Sequence, residues 1–214
     1  MNPILRKSVL SVAGLLMTGG ALAGPAVAAH AAPAETRNAA GAETTDHPGG
    51  HRAGYEYQAQ PNYYYCGPAS TRIALSAEGK IVSQDELAAK LGTTENGTDS
   101  AFDITRVLNE YAPGRYKTTE IGSDVASKEQ VERLRADVRT AVDAGRPVIA
   151  NVLGSAVDAD GVGHSYPGHY LTVVEYKDDG NTVKIADPAD PAVQEYWMDV
   201  NALANWIASR GYSS

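Results

Sequence analysis

The chain reads as an α+β domain in which N-terminal helices pack on a mostly antiparallel β-sheet. Three observations predict this. Segments with helical spacing of apolar residues come first, up to about residue 145. A compact β-branched run, Pro147 to Leu153, then reads as a buried central strand. Finally, two further strands, Tyr170 to Tyr176 and Asn181 to Ala186, flank the turn Asp178-Asp179-Gly180 as a hairpin. Helices followed by strands, with a hairpin among them, indicate helices layered on an antiparallel sheet.

The elements follow in order. Residues 1–31 open with Arg6-Lys7, continue through an apolar run from Val9 to Leu22, and close on small residues. That is the anatomy of a secretory signal peptide, and Gly19-Gly20 and Gly24-Pro25 argue against a retained membrane span. Cleavage after Ala28, Ala29 or Ala31 fits, with Ala29-His30-Ala31 favouring Ala31. Residues 32–52 are rich in Ala, Gly, Thr, Pro and His and read as a flexible leader. Residues 53–214, about 160 residues, suit one domain with a single core.

Within that domain, a helix is expected from about Pro68 to Ala77, ending at Gly79. Ser83 followed by Glu86 marks a second helix from 84 to about 91, closed by Gly92. Asp99 or Ser100 can cap a third, with Phe102, Ile104, Val107 and Leu108 on one face. Ser127 to Gln130 opens a longer helix whose stripe is Val131, Leu134, Val138 and Val142. A glycine-rich loop is expected at 154–163, a further strand at Val193 to Met198, and a last helix from Val200 to Ser209. Trp197 and Trp206 read as core, and the tyrosines from Tyr55 to Tyr65 as packing the N-terminal segment more readily than lining a groove.

The net charge is −8, and loss of residues 1–31 removes Arg6 and Lys7 and no acidic residue, taking it to −10. Such a chain lacks the clustered cations that nucleic acid or anionic lipid would need. A peptide or protein substrate is the expected partner, with no nucleic acid and no stable membrane insertion. One cysteine permits no intramolecular disulfide, so the core must hold the fold.

That cysteine, Cys66, precedes Gly67-Pro68 at the start of the first helix. There the free N–H groups and the macrodipole favour a thiolate. An exported protein with one unpaired cysteine in this setting points to a nucleophile, against the plainer reading of a small buried hydrophobe. A nucleophile needs a base and a group to orient it. His30 falls in the signal peptide, His47 and His51 in the leader, and His164 on the glycine-rich loop. His169 opens a strand and is the better-fixed base. His47 and His51 share an i, i+4 spacing but no helix, so no metal site is expected, and no cofactor.

A three-residue hairpin loop at 178–180 would pair Lys177 with Asn181, Val173 with Ile185 and Leu171 with Asp187. Asp187 then shares a face and an end of the sheet with His169, ready to accept from one ring nitrogen. A strand terminator is the ordinary alternative for Asp187-Pro188.

Gln60, then Cys66-Gly67-Pro68-Ala69, then Gly168-His169-Tyr170, then Ile185-Ala186-Asp187-Pro188 resembles the C39-like cysteine peptidases of the papain-like superfamily, over about residues 54 to 200. The resemblance implies a papain-like fold with Cys66 as nucleophile, His169 as base and Asp187 as orienter. It also implies Gln60 as oxyanion donor. Without it Gln58 would serve as well, and only the spacing of six selects Gln60. Exporter domains of that family cut leader peptides after Gly-Gly. This chain carries no transporter segment, so that substrate class is not transferred, and Gly49-Gly50 is a weak self-processing signal. The expected function is a secreted cysteine peptidase or amide hydrolase. The alternatives are an acyltransferase or transpeptidase with the same residues, with cell-wall peptides as candidate substrates, and a non-catalytic secreted binding protein on the same scaffold.

Overall fold

The computed structural model describes residues 50–214; the expected signal peptide and all but the end of the leader lie outside them. The described residues form five α-helices and one seven-stranded sheet. The helices are α1 (Cys66–Ala77), α2 (Gln84–Leu91), α3 (Ala101–Tyr111), α4 (Lys128–Asp143) and α5 (Val200–Trp206). The strands are β1 (Gly50–Arg52), β2 (Thr118–Glu120), β3 (Val148–Val157), β4 (Gly163–Lys177), β5 (Thr182–Ala186), β6 (Glu195–Asp199) and β7 (Gly211–Ser213). The sheet runs β2-β7-β3-β4-β5-β6 with β1 on β4, and every pairing is antiparallel.

The caps explain the helix boundaries. Ser83, Ser100 and Ser127 each accept a backbone N–H in the first turn of α2, α3 and α4, and Gln130 completes a capping box. Gly92 ends α2 in the left-handed conformation at φ 68°. Phe102 departs from its expected stripe: it is 56% exposed, while Ile104, Val107 and Leu108 are buried.

The sheet is covered on both faces. Ile149 and Tyr170 point into a cluster with Leu75, Leu87, Ile104 and Leu108 from α1–α3. Val148, Ala150, Val152, Leu171 and Val173 point the other way, onto Leu134, Val138 and Val142 of α4 and Leu203 and Trp206 of α5. Alternation along β3 and β4 thus feeds two cores. Each fully buried Leu, Ile or Val contributes about 1.5–3 kcal/mol. Trp206 is core as expected. Trp197 is half-buried instead, with the ammonium groups of Lys177 and Lys184 4.3 and 4.7 Å from its ring centroid.

Three features differ from expectation. The loop foreseen at 154–163 is largely strand: β3 and β4 continue as a ribbon, pairing Ser155 with Ser165 and Val157 with Gly163. The short strands β1, β2 and β7 carry no pattern long enough to reveal them. The hairpin connection takes four residues, so Lys177 faces Thr182 rather than Asn181. Asp178, Asp179 and Gly180 all have positive φ, and Asn181 closes the loop by donating from its side chain to the Asp178 carbonyl at 2.7 Å. A bulge at Val174, whose side chain packs on Ile73 of α1, then restores the expected register, and Val173 faces Ile185. No described helix is long and apolar enough to cross a membrane.

Candidate active site

Cys66 is the first residue of α1, with Tyr65 at the N-cap. Its N–H therefore has no carbonyl four residues back within the helix. One turn later the helix is tied to the sheet. Ser70 Oγ donates to the Tyr170 carbonyl at 2.8 Å, and Thr172 Oγ1 donates to the Ser70 carbonyl at 3.3 Å. This stitch sets the start of α1 against the part of β4 that carries His169.

Gly67 is required at its position by close approach. A Cβ there would lie 2.3 Å from Thr98 Oγ1, which is itself hydrogen-bonded to Thr93 Oγ1 at 2.8 Å.

His169 and Asp187 form a buried pair, their side chains 5% and 2% exposed, with Nε2 2.7 Å from Oδ1. Nδ1 is left as the ring nitrogen open to Cys66, whose thiol lies close enough for each group to shift the other's titration. Burial alone would push the thiol up. Hydrogen bonding and charge from His169, with the N–H groups of Tyr170 and Gly67, carry it below its ordinary value. Burial would likewise lower His169, yet Asp187 and Cys66 push it up to about 9. Both effects favour a thiolate beside an imidazolium.

Asp187 is held by four donors. His169 Nε2 and the Ala189 N–H reach Oδ1, and the hydroxyls of Tyr166 and Tyr196 reach Oδ2 at 3.0 and 2.9 Å. Against the effect of burial, these keep the carboxyl below its usual range. Tyr166 also stacks on the His169 ring, centroids 4.1 Å apart, and so screens it. Tyr57 donates to the Asp187 carbonyl at 3.0 Å. Sequence reasoning missed Tyr166 and Tyr196, the second because an aromatic residue in a strand reads as core and the first because no strand was expected before Tyr170. Their one signal was the phenol, which seeks a partner when buried.

Gln60 borders a cavity of about 480 Å³ together with His169, Tyr63 and Tyr166. Its Nε2 donates to the Asn62 carbonyl at 2.7 Å, and its Oε1 is buried without a partner. A primary amide has two N–H groups, so one remains. Gln58, the other candidate, is engaged elsewhere: it accepts from Gln84 Nε2 at 2.9 Å.

Cys66 and His169 open onto an adjoining cleft of about 340 Å³, which shares Tyr63, Pro167, Gly168 and His169 with the first; Tyr63 is 76% exposed. Tyr63 thus lines the groove, while Tyr55 and Tyr57 pack the N-terminal segment on the domain through Glu195 and Asp187. His164 does not face Cys66. It pairs with Asp158 at 3.0 Å and stacks on Tyr196. His51 pairs with Asp143 at 2.9 Å and stacks on Tyr176, while Gly50 to Arg52 pair with β4. Among the described residues no group of three or more His, Cys, Asp or Glu is arranged to hold a metal ion.

This fold is shared with solved structures. A protein described as a C39-like peptidase from Bacillus anthracis is 14% identical, with a TM-score of 0.53 over 77% of this chain and 96% of that one. The peptidase domain of Streptococcus ComA, a bi-functional ABC transporter involved in a quorum-sensing pathway, is 21% identical, with a TM-score of 0.50 over 74% and 96%. No curated protein matches the chain by sequence. The pattern of one family does, over residues 53–214, which takes in every element from α1 to β7 together with Gln60. The chain belongs to the Peptidase_C39 like family.

Proposed function

We propose that the chain is a cysteine peptidase that hydrolyses amide bonds with Cys66 as nucleophile, His169 as general acid–base, Asp187 as orienter and Gln60 as oxyanion donor. The observation that carries this reading is the buried His169–Asp187 pair, 2.7 Å apart, with its free ring nitrogen beside a cysteine at a helix start. The Cys66 thiolate adds to the scissile carbonyl carbon. The oxyanion forms beside the free Cys66 N–H and takes the remaining Gln60 N–H when the side chain turns towards it. Collapse breaks the C–N bond, and the Nδ1 proton of His169 passes to the leaving amine. Water, deprotonated by His169, then cleaves the thioester and regenerates the thiolate–imidazolium pair. The N-terminal pattern of residues 1–31 supports action after export.

The test incubates the protein with a mixed peptide library and identifies products by mass spectrometry, with Cys66→Ala as control. Cleavage dependent on Cys66, with one ¹⁸O from labelled water in the new carboxylate, is expected. Acyl transfer to an added amine in place of ¹⁸O uptake would make the protein a transferase. No Cys66-dependent product would remove the reading.

A further inference from the structure

We infer that the cleft beside Cys66 receives a substrate carboxylate and that Arg210 is the residue that takes it. The inference rests on the peptidase reading, and it names the class of peptide that the cleft selects. Arg210 lines the 340 Å³ cleft that holds Cys66 and His169. It also lines an adjoining cavity of about 140 Å³, sharing Asp99 and Asn151 between the two.

Every other arginine of the described residues spends its guanidinium on a neighbour: Arg52 on Glu195, Arg72 on Glu56, Arg106 on Glu110, Arg115 on Glu78, Arg133 on Asp137, Arg135 on Asn181, Arg139 on Asp179 and Arg146 on a carbonyl. Arg210 makes no hydrogen bond, ion pair or aromatic contact with any described residue through its side chain. In a chain of net charge −8, an exposed arginine that lines a cleft with no carboxylate partner among the described residues is an unspent recognition group.

Its main chain, by contrast, is fixed. The Arg210 N–H donates to the Ile207 carbonyl at 3.0 Å, and its carbonyl accepts from the Ile121 N–H at 3.2 Å. Ser209 before it is left-handed at φ 62°. Gly211 after it has φ 156°, and a Cβ there would lie 2.3 Å from the Thr119 carbonyl oxygen. Two uncommon backbone conformations thus bracket one unpaired cation, a pattern that persists where the surroundings impose it.

A guanidinium offers a planar fork of donors that matches a carboxylate with two parallel hydrogen bonds. Glu120 lines only the 140 Å³ cavity, so a second anion further along is disfavoured. Asp99 lines both spaces but makes no hydrogen bond or ion pair with Arg210, which leaves the guanidinium to an incoming carboxylate. One carboxylate near the scissile bond is the fit. It can belong to an Asp or Glu side chain or to a free chain end.

The first test compares alkylation of Cys66 by iodoacetate and iodoacetamide in the wild type, Arg210→Gln and Arg210→Lys. The ratio of the two rates cancels thiol reactivity and reports attraction of the anion. Arg210→Gln should lower it roughly five- to tenfold, with Arg210→Lys in between. An unchanged ratio overturns the inference.

The second measures binding to Cys66→Ala of alanine-based octapeptides with one Glu, Gln or Lys walked along the chain, each as C-terminal acid and amide. Glu should bind roughly tenfold tighter than Gln at one position, and Arg210→Gln in the Cys66→Ala background should erase the difference. If Arg210→Gln erases a preference for acid over amide instead, the carboxylate is the chain end. Equal binding throughout, or a preference that survives Arg210→Gln, overturns it. Neither test needs turnover, so an inactive protein would sink the peptidase reading without deciding this one.

Discussion

Two His–Asp pairs have their histidine on β4, and only one of them is part of the candidate site. His169 reaches Asp187 at 2.7 Å and His164 reaches Asp158 at 3.0 Å, each through Nε2, and all four side chains are at least nine-tenths buried. The difference lies in what surrounds the pairs. Asp158 accepts from the Asp160 and Val162 N–H groups, so it pins the turn that closes the β3–β4 ribbon, and the face of His164 is covered by Tyr196. Asp187 gathers two phenols from separate strands, and its histidine keeps a nitrogen for a thiol. A His–Asp pair alone is a structural clamp. A third group on the far nitrogen turns it towards chemistry.

The sharpest way to break this comparison is to remove each histidine in turn. Cys66→Ala and His169→Ala should abolish peptide cleavage, since each takes away a chemical participant. His164→Ala should keep kcat while lowering thermal stability by about 1–3 kcal/mol, because Asp158 loses a buried partner. If His164→Ala were the inactive variant in a folded state shown by circular dichroism, the roles of the two pairs would be reversed.

Gln60→Ala comes next, costing about 2.7–4 kcal/mol in the barrier if its free N–H meets the oxyanion. A steady-state kcat/KM within twofold of wild type would leave the oxyanion to backbone N–H groups.

Tyr196 touches both pairs, through its hydroxyl to Asp187 and its ring to His164. Tyr196→Phe keeps the ring and removes one hydrogen bond to a carboxylate, worth about 1.5–3 kcal/mol. That cost should fall on kcat and on the pH profile of Cys66 alkylation more than on the melting temperature. A change in stability alone would place Tyr196 with the clamp.

The pH dependence is the mildest probe. The reactive form needs Cys66 ionised, so activity should rise through a thiol pKa held below its ordinary value. It also needs His169 protonated, so activity should fall as pH passes about 9. The sign for stability follows the same group. A histidine raised from 6.5 to about 9 adds stability that is complete below 6.5 and lost as pH rises through about 9. Cys66, its pKa held below the ordinary value, contributes with the opposite sign over the same range, so stability should vary less with pH in the wild type than in Cys66→Ala. A wild type that loses as much stability between pH 7 and 9 as Cys66→Ala would contradict the ion pair.

How much of this was legible in the sequence varies by residue. Ser83 and Ser127 announced their helices through local chemistry, and so did Cys66 with Gly67-Pro68. Asp187 was placed on the correct face by a register that held only because two departures cancel: one extra residue in the 178–181 loop and one bulged residue at Val174. The first comes from three successive residues at positive φ, and the second from packing on Ile73, and neither leaves a local signature. Tyr166, Tyr196 and Arg210 stayed hidden for a related reason. Their significance lies in which distant strands they join, and nothing in their own neighbourhood of sequence records it.

The place of β7 carries a consequence for the order of folding. This strand, at residues 211–213, lies inside the sheet between β2 and β3, with Tyr212 and Ser213 fully buried. Its partners are 60 to 95 residues earlier in the chain, so closing it is the kind of long-range step that loop entropy delays. The β3–β4–β5–β6 meander, built from neighbours in sequence, can assemble ahead of it. Arg210 joins the wall of the cleft only when β7 docks, so selectivity arrives after the nucleophile and its base have met. Pulse-labelling hydrogen exchange during refolding, with the amides of 211–213 protected last, would register that sequence of events.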